Sequence, residues 1–215
     1  MTTQLLFIRH GETDWNRQQR FQGQIDVPLN ATGQAQAQRL AARLAAERYD
    51  AFFTSDLARA RETAAPLAAV WRTEPVAMTG LREQSFGVLE GLDVPTIKER
   101  HADLWQRWLE HRADYALPRG ESLRQFHTRV MTAVRDIAAD APGRRLVVVT
   151  HGGVLDMQWR SAKGLPLDGL RECEIPNTGL NRLRWLDGTL LIDRWADDAH
   201  LVGLPPQAST AAGER

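Results

Sequence analysis

Leu5-Leu6-Phe7-Ile8-Arg9-His10-Gly11-Glu12-Thr13-Asp14-Trp15-Asn16 decides how this chain is read. Four consecutive apolar residues, Leu5 to Ile8, suit a strand buried on both faces of a sheet. The run stops at a cation, an imidazole and a glycine. In open α/β sheets, ligands bind just outside the carboxyl ends of the strands. An Arg-His pair delivered there can hold an anion with one group and attack it with the other. Taken alone, the same pair also fits a strand that ends in ordinary surface polars.

A second stretch repeats the pattern. Arg145-Leu146-Val147-Val148-Val149-Thr150 is continuous and β-branched, as a central strand should be. It runs straight into His151-Gly152-Gly153. Two strands that end this way are much harder to ascribe to chance than one. If they are neighbours, both histidines meet at one edge of the sheet. The short strand Ala51-Phe52-Phe53-Thr54 then leads into Ser55-Asp56-Leu57-Ala58-Arg59-Ala60. Here Ser55-Asp56 can cap a helix, and the helix N-terminus itself favours an anion. Two arginines, two histidines and Asn16 can converge on one small volume. Such a cluster suits a compact anion of about two negative charges, and phosphate is the obvious candidate.

Around these three stretches the chain alternates. Residues 12–31 read as a loop, in which Arg20-Phe21-Gln22-Gly23-Gln24 places a glycine where backbone N–H groups could approach a ligand. A helix capped by Asn30 or Thr32 is expected to run to about Arg48. Another should continue from Leu57 towards Val70 across Pro66. Pro75 to Met78 suits a strand and Phe86 to Gly91 a loop. A helix is expected over Val94 to Arg112, with Ile97, Leu104, Trp105, Trp108 and Leu109 as its apolar side. The next opens at Glu121-Ser122, with Leu123, Phe126, Val130, Val134 and Ile137 spaced at three and four. A helix over Val154 to Lys163 follows, then a hairpin of Asn181–Trp185 and Leu190–Trp195 across Asp187-Gly188. From Pro205 the chain is rich in Pro, Ala, Ser and Gly and is expected to be disordered. Helices alternating with short apolar strands predict an α/β domain with a mixed, mostly parallel sheet.

Bulk composition narrows the function. The 215 residues suit one sizeable α/β domain, and 43% hydrophobic with 25% charged residues is ordinary for a globular protein. Lys+Arg and Asp+Glu both number 27, so nothing suggests a general attraction to nucleic acid or anionic membrane. The single cysteine, Cys173, excludes an intrachain disulfide and a Cys-rich metal site, and fits a reducing compartment. No signal-peptide pattern and no long apolar run is present, so a cytoplasmic protein is expected. His10 and His151 have no third ligand at a metal-site spacing, and the arginines would repel a cation. No metal and no cofactor is expected.

The set of motifs resembles the histidine phosphatase superfamily, the phosphoglycerate mutase-like enzymes. It comprises Arg9-His10-Gly11-Glu12-Thr13 with Asn16, Phe21-Gln22-Gly23, Ser55-Asp56-Leu57-Ala58-Arg59-Ala60, Leu81-Arg82-Glu83 and Thr150-His151-Gly152-Gly153, in the family's order. The resemblance implies a three-layer α/β/α sandwich with a mostly parallel mixed sheet and a small helical cap. It implies one domain over 1–204, a cap at about 84–125 and a tail over 205–215. It also implies roles. His10 would be the nucleophile, attacking as a neutral imidazole. Arg9, Arg59 and a cationic His151 would hold the phosphoryl oxygens. Asn16, Gln22, Gly23 and Gly152 would complete the pocket. Glu83 would be the proton donor, with Glu90 and Asp56 as competitors for that role. Arg61 competes with Arg59, and the family spacing from Ser55 selects Arg59. The leaving-group side is expected to involve Phe21, Phe86, Leu89, Trp108 and His127. The insertion after Glu83 is short and lacks the paired basic residues of the mutases. The resemblance therefore implies a phosphatase acting on a small phosphorylated metabolite, with phosphoglycerate mutase as the alternative and a non-catalytic phosphate-binding module a further one. Oligomeric state is left open, with a homodimer as one option.

Overall fold

A computed structural model describes residues 1–207. Six strands, β1 (Thr3–Arg9), β2 (Ala51–Ser55), β3 (Val76–Met78), β4 (Arg145–Thr150), β5 (Leu180–Leu186) and β6 (Thr189–Asp197), form one sheet in the order β3-β2-β4-β1-β5-β6. The four strands from β3 to β1 run parallel, and β5 and β6 are antiparallel additions beside β1. The mixed, mostly parallel sheet is therefore as expected.

The alternation of side chains along β1 explains the layers. Leu5 and Phe7 join Leu146 and Val148 of β4 against α6 (Leu123–Ala139) and α7 (Gly152–Lys163). Leu6 and Ile8 join Val147 and Val149 against α2 (Ala31–Leu44) and α3 (Ala58–Trp71). Helices cover both faces, which is why β1 and β4 read as unbroken apolar runs. The chain leaves β1 towards the α2 face and leaves β4 towards the α7 face. Two neighbouring parallel strands whose continuations part to opposite faces open a crevice at their carboxyl ends. Arg9 pairs with Thr150 in register across this opening.

A smaller apolar cluster lies outside the sheet. Leu89, Val94, Ile97, Trp105 and Leu117 bury themselves with Phe21. The helix expected over Val94–Arg112 is two helices, α4 (Val94–Arg100) and α5 (Ala102–Leu109), broken at His101 by a non-helical backbone (φ −139°, ψ 41°). The break lets Ile97 and Trp105 enter the same cluster.

Other local expectations need correction. Residues 12–31 contain a one-turn helix, α1 (Asp14–Arg17), because Thr13 and Asn16 form a reciprocal capping box. The second helix stops at Leu44, and Asn30 is its cap, accepting from the Gly33 N–H at 2.8 Å. Ser55-Asp56 does not cap α3. Leu57 holds the cap position without a side-chain bond, since Ser55 and Asp56 are committed to His151 and Arg82. Of the tail expected from 205, residues 208–215 lie outside the described residues. Gln207 exchanges hydrogen bonds with the backbone of Asn177. Among the described residues, no helix is long and apolar enough to cross a membrane.

Candidate active site

β1 and β4 deliver their histidines together: the rings of His10 and His151 lie 5.2 Å apart between centroids. Both are buried, at 3% and 0% exposure. His10 Nδ1 lies 2.7 Å from the Gly11 carbonyl, so Nδ1 carries the proton and the Nε2 lone pair is left to react. His151 Nε2 shares a 2.8 Å hydrogen bond with Ser55 Oγ at the end of β2. Its Nδ1 is buried with no protein partner among the described residues.

The loop carrying His10 is held from three sides. Gly11 donates its N–H to Thr63 Oγ1 of α3 at 2.9 Å. Asn177 Nδ2 donates to the His10 carbonyl at 2.8 Å, and Thr178 N–H to the Arg9 carbonyl at 3.0 Å. Glu12, fully buried, receives Arg17 and Asn30, and its own N–H goes to Gln36. A nucleophile so fixed gives up little entropy on reaction.

Arg59 is fully buried, and its guanidinium donates to the carbonyls of Gly23 at 2.7 Å and Ile25 at 2.9 Å. Gly23 has φ +51°, a conformation that suits glycine, and so turns its carbonyl onto this cation. Burial pulls the Arg59 pKa down to about 10, which leaves it charged at neutral pH. Arg9 donates to the Ile175 carbonyl at 2.7 Å. Arg9, His10, Asn16, Gln22, Gly23, Arg59 and Glu83 line one pocket, with Trp15, Phe21, Phe86 and Trp108 at its apolar side. Gly152 opens α7 beside the Arg9 guanidinium. All nine residues named from the sequence thus lie in or beside one cavity. Arg61, the alternative to Arg59, does not line it.

The acid candidates separate by what already occupies them. Asp56 is gripped by Arg82 through both oxygens, at 2.8 and 2.5 Å, which holds its carboxyl below the usual range. Glu90 Oε1 accepts from Gln24 N–H, Ser85 Oγ and Phe86 N–H, and so knits two loops together. Glu83 is oriented by two backbone donors, Gln84 N–H at 2.8 Å and Gly153 N–H at 3.0 Å, and it lines the pocket. A Cβ at position 153 would fall on the Glu83 carboxylate, so any side chain there would push Glu83 out of this position.

Two further expectations change, and burial works against a third. Burial, with Arg59, His10 and Arg9 nearby, holds His151 well below the usual imidazole range and so opposes the cationic form expected of it. Leu89 is buried in the small cluster, and His127 bonds Ser161 Oγ at 2.8 Å, so neither lines the pocket. Ser55, Thr63, Asn177 and Thr178 belong to the site's support and were not read as such from the sequence. Ile175-Pro176-Asn177-Thr178-Gly179 offered only a turn-like composition as a signal.

The same burial depresses His10, aided by Arg59 and Arg9. The unfolded chain therefore takes up protons first as pH falls. Stability is full above the ordinary imidazole range and declines below about pH 6.5, by about 1.4 kcal/mol per pH unit for each histidine. His111, His127 and His200 are depressed by burial too and add in the same direction. Denaturant midpoints measured down from neutral pH should show this fall, and His10→Gln should reduce its slope. A midpoint insensitive to pH across that window would mean the imidazoles are charged in the fold.

Chemically, the cavity is an anion site with a neutral nucleophile at its floor. A phosphoryl dianion would face two buried guanidinium groups and the unpartnered His151 Nδ1. Each unit charge pair at 4 Å is worth about 4 kcal/mol at the effective dielectric near a protein surface. Among the described residues, no three His, Cys, Asp or Glu side chains are grouped to hold a metal ion.

Comparison with known proteins agrees with this geometry. Residues 5–198 match the profile of the histidine phosphatase superfamily (branch 1). The chain is 37% identical over 203 residues to the phosphoglycerate mutase-like protein 4 of Arabidopsis thaliana, covering 92% of this chain and 86% of that one. It is 35% identical over 202 residues to the metal-independent phosphoserine phosphatase of the same plant, covering 93% and 83%. The solved structure of Bacillus stearothermophilus YhfR superposes with a TM-score of 0.86 at 32% identity, covering 93% of this chain and 99% of that one.

Proposed function

This chain belongs to the histidine phosphatase superfamily, and from that premise we propose that it hydrolyses a small organic phosphate monoester through a phosphohistidine on His10. The observation that carries the reading is the meeting of a neutral, backbone-fixed His10 with Arg9, Arg59 and His151, and with Glu83 at the rim of the same cavity.

In the first step His10 Nε2 attacks phosphorus in line, the bond from phosphorus to the ester oxygen breaks, and protonated Glu83 gives its proton to the departing alcohol. In the second step Glu83, now a carboxylate, takes a proton from water as that water attacks phosphorus. The P–N bond breaks and inorganic phosphate leaves. Arg9 and Arg59 offset the equatorial charge throughout, and neutral His151 donates from Nδ1. Asn16, Gln22, Gly23 and Gly152 frame the oxygens. Gln22 Oε1 is buried with no protein partner among the described residues, which suits a donor on the substrate. In this reading residues 1–204 act as one domain, residues 84–125 cap it, and Phe21, Phe86 and Trp108 bring apolar surface to the leaving group. The enzyme works in the cytoplasm on free metabolites, without metal, nucleic acid or membrane.

A mutase reading is favoured by the similarity to a phosphoglycerate mutase-like protein and to proteins named probable phosphoglycerate mutase. Phosphate release across a panel of phosphorylated metabolites, run beside conversion of 3-phosphoglycerate to its 2-isomer, separates the two. The expected result is release of phosphate with no isomer formed. Isomer formed without net release would make the mutase reading the correct one.

A further inference from the structure

Resting on the phosphatase reading, we propose that Ser55 is a positioning residue: its hydroxyl donates to His151 Nε2 and so keeps the His151 proton on Nδ1, the nitrogen left to meet the phosphoryl group. An imidazole can support a phosphoryl oxygen only through an N–H, and a neutral ring has a single one to place. Which nitrogen carries it is set by what the other is bonded to.

The fold brings the hydroxyl to the ring. β2 and β4 are parallel neighbours, with Thr54 paired to Val149 in register. Ser55 therefore ends β2 beside the point where β4 runs on into His151. Both residues are fully buried, and Ser55 Oγ lies 2.8 Å from His151 Nε2. The same oxygen accepts the Leu57 N–H at 3.4 Å, at the head of the helix that carries Arg59.

Counting donors and acceptors gives the direction of the bond. A serine hydroxyl has one hydrogen and two lone pairs. The Leu57 N–H takes one lone pair. If His151 Nε2 carried the ring proton, it would take the other, and the hydroxyl hydrogen would be buried with no acceptor among the described residues. A bare Nδ1 lone pair would then stand in a site built for an anion. Donation from Ser55 into Nε2 satisfies both groups and leaves an N–H on Nδ1, which has no protein partner among the described residues. Burial beside Arg59, His10 and Arg9 favours the neutral ring that this arrangement needs. His10 obeys the same rule with a different partner: the Gly11 carbonyl takes its Nδ1 proton, which frees Nε2 as a lone pair. A backbone acceptor thus makes one histidine a nucleophile, and a side-chain donor makes the other a hydrogen-bond donor.

The test reads the tautomer directly. Long-range proton–nitrogen NMR spectra of the ¹⁵N-histidine-labelled wild type, at neutral pH, should show His151 protonated at Nδ1 and bare at Nε2. Adding orthovanadate as a phosphoryl mimic should leave that pattern in place. The His151 signals are assigned by their loss in His151→Gln. Ser55→Ala should move His151 towards the Nε2–H tautomer. It should also lower kcat on p-nitrophenyl phosphate by roughly 10- to 100-fold, the usual worth of a hydrogen bond to a charged group, with KM changed less. Ser55→Thr keeps the hydroxyl and should keep the wild-type tautomer. A wild-type His151 protonated at Nε2, alone or together with Nδ1, would overturn the proposal. So would a Ser55→Ala enzyme with an unchanged tautomer or an unchanged kcat, or a folded Ser55→Thr that loses the wild-type pattern. If the alanine variant does not fold, the wild-type spectrum decides. Turnover by the wild type checks the underlying reading separately. If no ester is hydrolysed, the phosphatase reading falls whatever the tautomer; if hydrolysis proceeds with the proton on Nε2, only the assignment of Ser55 falls.

Discussion

His10→Ala is expected to lower phosphate release by on the order of 10⁴-fold or more, the scale on which a covalent nucleophile is missed. The same substitution should abolish acid-labile phosphorylation of the protein. An aryl phosphate is the right substrate, because its leaving group departs without much help from an acid. The variant should fold, since the loop's anchors do not use the imidazole: Thr63 holds the Gly11 N–H and Asn177 holds the His10 carbonyl. Rapid-quench labelling with radioactive substrate reads the covalent step directly. Release of phosphate at the wild-type rate would show that another group attacks phosphorus.

Glu83→Gln should slow turnover of alkyl phosphates by roughly 10²–10⁴, the usual contribution of general acid–base catalysis. The loss should be smaller on aryl phosphates, and the difference between the two classes is the informative quantity. The carboxylate accepts from Gln84 N–H with one oxygen and Gly153 N–H with the other. A glutamine has one acceptor and turns its amide towards the second donor, so some loss of orientation is built into the variant. That structural part falls on every substrate alike, whereas the missing proton falls on poor leaving groups. Equal losses on alkyl and aryl esters would therefore remove Glu83 from the role of acid and return the question to Glu90.

The sheet was legible because its chemistry is local. Unbroken apolar runs at Leu5–Ile8 and Leu146–Val149 suit strands covered on both faces, and each leads into a histidine too reactive to ignore. What could not be seen is whatever depends on occupancy or on backbone. Spacing alone does not separate Glu83 from Asp56 or Glu90; the partners of Asp56 and Glu90 do. The charge of His151 is a matter of how deeply it is buried among cations. The clamp at Ile175–Thr178 works through the Ile175 carbonyl, the Thr178 N–H and a side-chain amide, and every residue has a carbonyl. The break at His101 follows from where Ile97 and Trp105 must both go, which is a property of the whole cap region.

The pairing of β1 has a consequence for how the chain acquires its site. Its two neighbours in the sheet are β4 and β5, which begin 136 and 171 residues after its own end at Arg9. The amino-terminal strand therefore leaves the ribosome long before anything can pair with it, carrying four apolar side chains on two bare faces. Such late, long-range closure is slow, and leaves an unpaired strand open to aggregation in the interval. It also makes activity an all-or-none readout of synthesis. No nascent fragment ending before Arg145 has His151, an α7 or a Gly153 to steer Glu83. His10 is made long before its partners, and its pocket is finished only when Thr178 and β5 have closed over the strand that carries it.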